Sequence, residues 1–394
     1  MHTANGGILP REEILPALCK SGTIFTNLSP SGKLCIPHSP HASHTLLPLL
    51  HAPPLQSPRF YDILTTERRW IQVEVKSKPI KIIYDTDMGS DCDDAGTLAM
   101  LHRLCDNGEA ELLAVTHCYS SPYVAGCTDA INKFYGREVP IGINYDVQTL
   151  GRGVYAGAIC DVYPNNYPAE KFGDPDFADD TLTVLRKVLT EAEDNSITLV
   201  VTGTLCSMAK LALSQGDDIS PLSGKELIAK KLCRTVVMGG RFFESWPMAI
   251  FPDGQASGTP VTKEWNVKGS GLVSAQAACD EWTGELVFAS YELGSYIKTM
   301  VGYPERARKG DPVSLAYEIH NRGKGRCSWD QTAMLEAIRP GKYWNYHAFG
   351  RITVDDEFVT HWSADSTRRH TYLLPKVDYE DIRKTIDDII DGNT

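Results

Sequence analysis

The sequence predicts an α/β fold: an open, mostly parallel, twisted sheet flanked by helices. Short apolar runs rich in β-branched residues recur at 80–84, 111–117, 139–143, 197–201, 234–238 and 285–290. Each has the length and composition of a buried strand. Between several of them the spacing turns helical, as in Leu98, Leu101, His102 and Cys105, then in Ala125, Thr128, Ile131 and Asn132, and again over 181–193. Strand, helix, strand, helix in alternation is the pattern of a parallel sheet covered by helices. Glycine or serine turns follow the runs, at Gly89, Ser120-Ser121-Pro122, Gly203 and Gly239-Gly240. In such sheets this carboxyl edge is where ligands bind.

The most informative stretch is the first junction. Five Asp fall within ten positions, Asp85, Asp87, Asp91, Asp93 and Asp94, where the strand 80–84 gives way to a helix from about Ala95. An N-cap or first-turn role accounts for one of them. The others repel one another and call for a counter-charge, and a hard, oxygen-ligated divalent cation is the natural one.

The chain of 394 residues has a net charge of −11, 42% hydrophobic and 23% charged residues. The acidic balance argues against nucleic acid and against an anionic membrane surface as partners. No apolar run approaches the roughly 20 residues of a membrane helix. Eleven Cys without paired spacing read as reduced thiols of a cytoplasmic protein rather than a disulfide framework or zinc site. Residues 1–69 are rich in Pro, Ser, His and Leu and show no sustained period, which reads as a disordered extension before one domain over 70–394. From Trp70 apolar and polar residues alternate, as in a short edge strand. Residues 150–180, with Tyr155, Tyr163, Tyr167, Phe172 and Phe177, form an aromatic insertion near the ligand edge and read as a lid. The C-terminal stretch 379–390 places Ile382, Ile386, Ile389 and Ile390 on one helical face.

Asp85-Thr86-Asp87-Met88-Gly89, followed by Asp93-Asp94-Ala95, resembles the N-terminal signature of the inosine–uridine preferring nucleoside hydrolases, a strand followed by Asp-x-Asp-x-Gly-x-Asp-Asp-Ala. Here Asp91-Cys92 lengthens the loop by two residues. Aligned without a gap, Asp91 takes the third Asp position; aligned with one, Asp93 and Asp94 take the third and fourth, and this keeps Asp-Asp-Ala next to the helix. Further along, Thr202-Gly203-Thr204-Leu205-Cys206-Ser207-Met208-Ala209 resembles the family's Gly-x-Leu-Thr-Asn-Leu-Ala turn, Met238-Gly239-Gly240 its Met-Gly-Gly, and Glu264-Trp265-Asn266 its Glu-Phe-Asn. The series ends at Trp329-Asp330, where the family has His-Asp.

The resemblance implies a nucleoside hydrolase-like fold and Ca²⁺-dependent hydrolysis of the N-glycosidic bond of a ribonucleoside or related N-riboside. It implies Ca²⁺ held by Asp87, Asp94, Asp330 and the Thr202 carbonyl, with Asp87 also the catalytic base. Glu264 and Asn266 would bind ribose hydroxyls, with Asp91 and Asp93 beside them. His117, at the end of the second strand, is either a ligand contact or a structural residue. Trp329 stands in place of the family's leaving-group acid; it cannot give a proton but can stack on a base. His320, His347 and His361 are candidates for the missing acid. The expected partner is a small nucleoside or N-riboside, with a dimer or tetramer left open. A non-catalytic protein that binds metal and ribose through the same fold is the alternative.

Overall fold

The computed structural model describes residues 61–64, 70–73, 78–148, 151–243 and 263–393. The chain divides into two units, Met1–Val75 and Lys76–Thr394. In the first, β1 (Tyr61–Leu64) pairs antiparallel with β2 (Trp70–Val73), Tyr61 opposite Val73 and Leu64 opposite Trp70. The strand expected from the alternation at Trp70 therefore pairs with a segment of the stretch 1–69. The rest of that stretch lies outside the described residues.

The second unit opens with β3 (Ile80–Thr86), α1 (Asp93–Asp106), β4 (Ala110–His117), α2 (Val124–Phe134) and β5 (Ile141–Ile143). Then come α3 (Ala156–Val162), β6 (Asp179–Asp180), α4 (Thr181–Glu191), β7 (Ile197–Val201), α5 (Cys206–Leu213), α6 (Gly224–Lys231) and β8 (Leu232–Met238). Beyond a stretch outside the described residues lie α7 (Trp265–Gly269), α8 (Leu272–Asp280), β9 (Leu286–Ala289) and α9 (Tyr291–Gly294). They are followed by β10 (Lys298–Val301), α10 (Tyr303–Arg306), α11 (Pro312–Asn321), β11 (Lys324–Cys327) and α12 (Trp329–Ile338). The chain ends with β12 (Trp344–Tyr346), β13 (Arg351–Val354), β14 (Thr360–Ser363), β15 (His370–Pro375) and α13 (Tyr379–Asp391).

Among the described residues, nine strands form the central sheet in the order β12-β15-β9-β8-β7-β3-β4-β5-β6. All neighbours are parallel except β12, which runs antiparallel to β15 at the edge. β10 with β11, and β13 with β14, make separate antiparallel pairs.

Successive strand side chains point to opposite faces. Ile82 and Tyr84 thus enter one apolar core with Val200, Val236 and Val287, while Ile83 enters the other with Leu199, Val237 and Phe288. Burial on both faces is why these runs are continuously apolar rather than alternating. The first core is closed by α1, α12 and α13, whose Ile382, Ile386, Ile389 and Ile390 are all buried.

One feature of this topology places the site. The chain runs outward from β3 through β4, β5 and β6, then returns to β7 on the other side of β3. The C-terminal ends of β3 and β7 therefore flank the point where strand order reverses, the position at which open α/β sheets bind ligands.

The segment 151–180 corrects one expectation. Its aromatics do not form a lid. Phe177, Tyr167 and Phe172 pack with Val124, Ala125, Ile141 and Ile143 as a small third core. Tyr155 is buried, its hydroxyl accepts the Gly89 N–H at 3.0 Å, and Val154 N–H donates to Gly89 O at 2.7 Å. The insertion buttresses the Asp-rich loop from behind, and none of its residues lines the cavity described next.

Candidate functional site

At the end of β3 the backbone delivers Asp85, Thr86 and Asp87 in turn. Asp85 faces away from the ligand edge: its Oδ2 accepts the Thr116 hydroxyl at 2.7 Å and its carbonyl accepts Thr202 N–H at 2.8 Å, tying β3 to β4 and β7. Thr86 Oγ1 donates to Asp94 Oδ1 and accepts Met88 N–H at 3.1 Å. The Tyr119 hydroxyl bridges the carbonyls of Asp87 and Met88 at 2.9 and 2.7 Å. Gly89 has φ of 115°, which a side chain rarely adopts, and this lets the loop turn back towards α1.

α1 begins at Asp93, so Asp93 and Asp94 occupy its first turn, where backbone N–H groups favour carboxylates. α12 begins at Trp329 and brings Asp330 to the same place. Carboxylate oxygens of Asp93, Asp94 and Asp330 lie within 4.8 Å of one another, and all three residues are buried. Asp87 borders this group, its side chain against that of Asp94. Asp91 stands apart. It receives Arg326 Nε at 2.9 and 3.0 Å together with an Nη2 contact, and His320 Nε2 lies 3.5 Å from it.

From β7, Thr202 contributes its hydroxyl, 3.4 Å from Asp94 Oδ1, and its carbonyl, which accepts Asn266 Nδ2–H at 2.6 Å. Glu264 caps α7: its oxygens accept the N–H groups of Asn266 at 2.8 Å, Val267 at 3.0 Å and Gly240 at 3.1 Å. Both side chains expected to meet ribose thus also hold their own turn together.

These residues surround a cavity of about 640 Å³, lined by Asp87, Ser90, Asp91, Asp93, Asp94, Thr202, Met238, Lys263, Glu264, Trp265, Asn266, Lys268, Tyr291, Arg326, Trp329 and Asp330. That is the size range of small-molecule sites. Of the residues given a metal, catalytic or substrate role from the sequence, His117 alone is absent from it. Its ring is buried between β4 and α2, 3.1 Å from Thr128 Oγ1, and burial pushes its pKa down to about 3, so it stays neutral. The ligand-contact option for His117 falls; it is a packing residue. None of His320, His347 and His361 lines the cavity either. Arg326, Tyr291, Lys263 and Lys268 line it without having been anticipated. Arg326 and Tyr291 are separated from the Asp-rich loop by some two hundred residues, and only the fold brings them there.

Trp329 forms one wall. Its indole N–H donates to Tyr291 O at 3.0 Å and Ser295 Oγ at 3.1 Å. Its ring stacks on Tyr291 at 5.4 Å, and the Arg326 guanidinium lies over it at 4.7 Å.

Among the described residues, six acids line the cavity against three cations, Lys263, Lys268 and Arg326. Burial, with the charge of Asp91 next, pushes the Asp87 carboxyl up to about 7. Burial followed by mutual repulsion drives Asp93, Asp94 and Asp330 well above the usual range, and burial raises Glu264 to about 7. Burial also pushes Asp91 up, but the hydrogen bonds and charge of Arg326 override this and hold it below its usual value. A cluster of buried oxygens short of positive charge fits a hard divalent cation. Asp93, Asp94 and Asp330 could hold one, with Asp87 and Thr202 beside it.

No family model matches the sequence, and no curated protein matches it. Solved structures do resemble it in fold. A plant nucleoside hydrolase superposes with TM-score 0.55 at 15% identity, over 79% of this chain and 99% of that one. An inosine–guanosine nucleoside hydrolase gives 0.50 at 20% identity, over 79% and 98%. The type III effector protein XopQ, complexed with adenosine diphosphate ribose, gives 0.54 at 14% identity, over 80% and 95%. The chain therefore has a nucleoside hydrolase-like α/β fold, with a large, mostly parallel sheet between layers of helices.

Proposed function

We propose that the protein is a Ca²⁺-dependent hydrolase of the N-glycosidic bond of ribonucleosides or related N-ribosides, releasing base and ribose. The observation that carries this reading is the convergence of Asp93, Asp94 and Asp330 oxygens within 4.8 Å at the point where strand order reverses. Glu264 and Asn266 lie in the same cavity. The all-oxygen donor set suits Ca²⁺, which when bound supplies fixed positive charge beside the sugar.

The chain's own residues do the rest. Asp87, Asp94, Asp330 and the Thr202 carbonyl are the proposed ligands, with Asp93 close enough to join them. Asp87 takes a proton from the attacking water, which is aimed at the anomeric carbon. Asn266 orients a ribose hydroxyl through Oδ1, and Glu264 through the lone pairs that its carboxylate oxygens keep beyond their backbone bonds. The acids favour the positive charge of an oxocarbenium-like transition state. Tyr291 and Trp329 wall the base side and exclude water there.

The second reading is a binder of metal and riboside without turnover. It is favoured by Trp329, whose indole cannot protonate a leaving base and whose N–H is already engaged. The effector complexed with adenosine diphosphate ribose makes larger ribosides part of either reading. The test is incubation with Ca²⁺ and a panel of nucleosides and adenosine diphosphate ribose. Free ribose or base released from any of them supports the enzyme. Binding by calorimetry without release supports the second reading, and neither binding nor release sinks both.

A further inference from the structure

We infer that Arg326 is the contact for the departing base, binding leaving groups that present a hydrogen-bond acceptor such as a ring carbonyl. The inference rests on the ribosidase reading and adds a residue to it.

The two residues that lengthen the Asp motif do something specific. Asp91 receives Arg326 Nε at 2.9 and 3.0 Å and an Nη2 contact, and its own loop fixes it through Cys92 N–H at 2.7 Å. The guanidinium also lies 4.7 Å over the Trp329 ring, which is itself locked by two hydrogen bonds from its N–H. A planar donor fork is thus held by a carboxylate along one edge and an indole on one face. The side chain remains 34% exposed and lines the cavity. No described residue accepts a hydrogen bond from Nη1, so that N–H pair is left for a ligand.

Electrostatics says which part of a riboside belongs there. Breaking the bond between C1′ and the base nitrogen develops positive charge on the sugar and negative charge on the base. A guanidinium at C1′, unlike a metal ion whose charge its carboxylate ligands offset, would oppose the reaction; beside the base it helps. In this reading the acids Asp87, Asp93, Asp94 and Asp330 take the metal and the sugar, and Arg326, held by Asp91 against Trp329, takes the base. Water adds to C1′ and gives a proton to Asp87, while the electron pair of the C1′–N bond leaves with the base. Nη1–H donates to the base anion without transferring a proton, because a guanidinium does not give one up. The base then takes its proton from solvent water on release. The arrangement fits a chain in which Trp329 occupies the acid's position.

The test uses the full chain in Ca²⁺ buffer and calorimetric titration with two probes. One is formycin B, a C-riboside analogue of inosine whose C–C bond is not hydrolysed; the other is ribose. In Arg326→Met the affinity for formycin B should fall about 10- to 100-fold, the scale of a lost charged hydrogen bond, with ribose affinity within about twofold of wild type. Arg326→Lys keeps a cation for Asp91 but not the fork, so it should show the same selective loss and covers the case in which the Met variant does not fold. Equal losses for both probes, or no loss for formycin B, would overturn the assignment and leave Arg326 as a counter-ion for Asp91. Failure of the wild-type protein to bind either probe would instead bring down the ribosidase reading.

Discussion

Asn266 donates through Nδ2 to the backbone carbonyl of Thr202 at 2.6 Å and to that of Met238 at 3.1 Å. One buried amide thus ties the ends of β7 and β8 to α7, beside the crevice that the switch in strand order opens. Asn266→Ala should cost about 1–3 kcal/mol, because two buried carbonyls lose their donor. Asn266→Asp should cost more, since it sets an acceptor against both carbonyls. Chemical denaturation would measure this, and ribose affinity should fall in both variants. Wild-type stability in Asn266→Asp would show that the amide is not positioned as described.

Calorimetry with Ca²⁺ on chelator-stripped protein should find one site. At a free ion concentration of 100 Kd the fold should gain about 2.7 kcal/mol. Asp330→Asn should bind Ca²⁺ at least tenfold more weakly. It should also be more stable than wild type in the absence of metal, because it removes one of several mutually repelling buried acids. Unchanged Ca²⁺ affinity in Asp330→Asn would remove Asp330 from the ligand set.

Asp87→Asn should keep the fold and lose turnover by at least about 10²–10⁴, the contribution of a positioned general base. Near-parental turnover would assign the base elsewhere in the cavity.

The strands and the Asp cluster were legible because their signals are local. The runs at 80–84 and 197–201 needed only composition and length, and the strands there are Ile80–Thr86 and Ile197–Val201. His117 was misleading for the same reason. Its place at a strand end said nothing about which face its side chain takes, and it faces α2. Arg326 was invisible because its partner Asp91 lies 235 positions away. Tyr155 looked like part of a lid because an aromatic insertion reads the same whether it closes over a site or packs behind it. The C-terminal strands β12 to β15 carry weak patterns and gain their order from pairing with one another and with β9.

Glu336 gives a pH-dependent stability test away from the cavity. It is fully buried, accepts Gly341 N–H at 3.1 Å and the Tyr346 hydroxyl, and has Arg234 Nη1 at 3.6 Å. Burial raises its carboxyl from 4.5 to about 7 despite these partners. A carboxyl with a raised folded pKa binds its proton more tightly in the native state. Its contribution is therefore fully present below about 4.5 and is lost as pH rises through about 7. At about 1.4 kcal/mol per unit the loss is roughly 3 kcal/mol. Glu336→Gln should remove that dependence, so its stability relative to wild type should improve from pH 5 to pH 8. A difference that stays constant across this range would mean that Glu336 is ionised in the fold at both ends.

Trp329 is the last case, because the structure changes what its loss should do. A ring that only stacked on a base would be exposed until substrate arrived. Trp329 is 8% exposed, donates its N–H to Tyr291 O and Ser295 Oγ, and shares its faces with Tyr291 and Arg326. Gly294 lies so close that a Cβ there would come 2.5 Å from Trp329 Cα. The ring is a fixed wall, and a base meets it at an edge or through Arg326. Trp329→Ala should therefore cost about 3–5 kcal/mol of stability, as for other buried aromatics. Trp329→Phe, which keeps most of the packing and loses the N–H bonds, should cost about 1 kcal/mol. With no proton donor at this position, p-nitrophenyl riboside should be cleaved faster than inosine, whose base departs poorly without a proton. Trp329→His, if it folds, should narrow that gap by speeding inosine. Equal rates on the two substrates in the wild-type protein would mean that a proton reaches the base by another route. Wild-type melting in Trp329→Ala would mean that the indole is not the wall and that stacking on the base is its role.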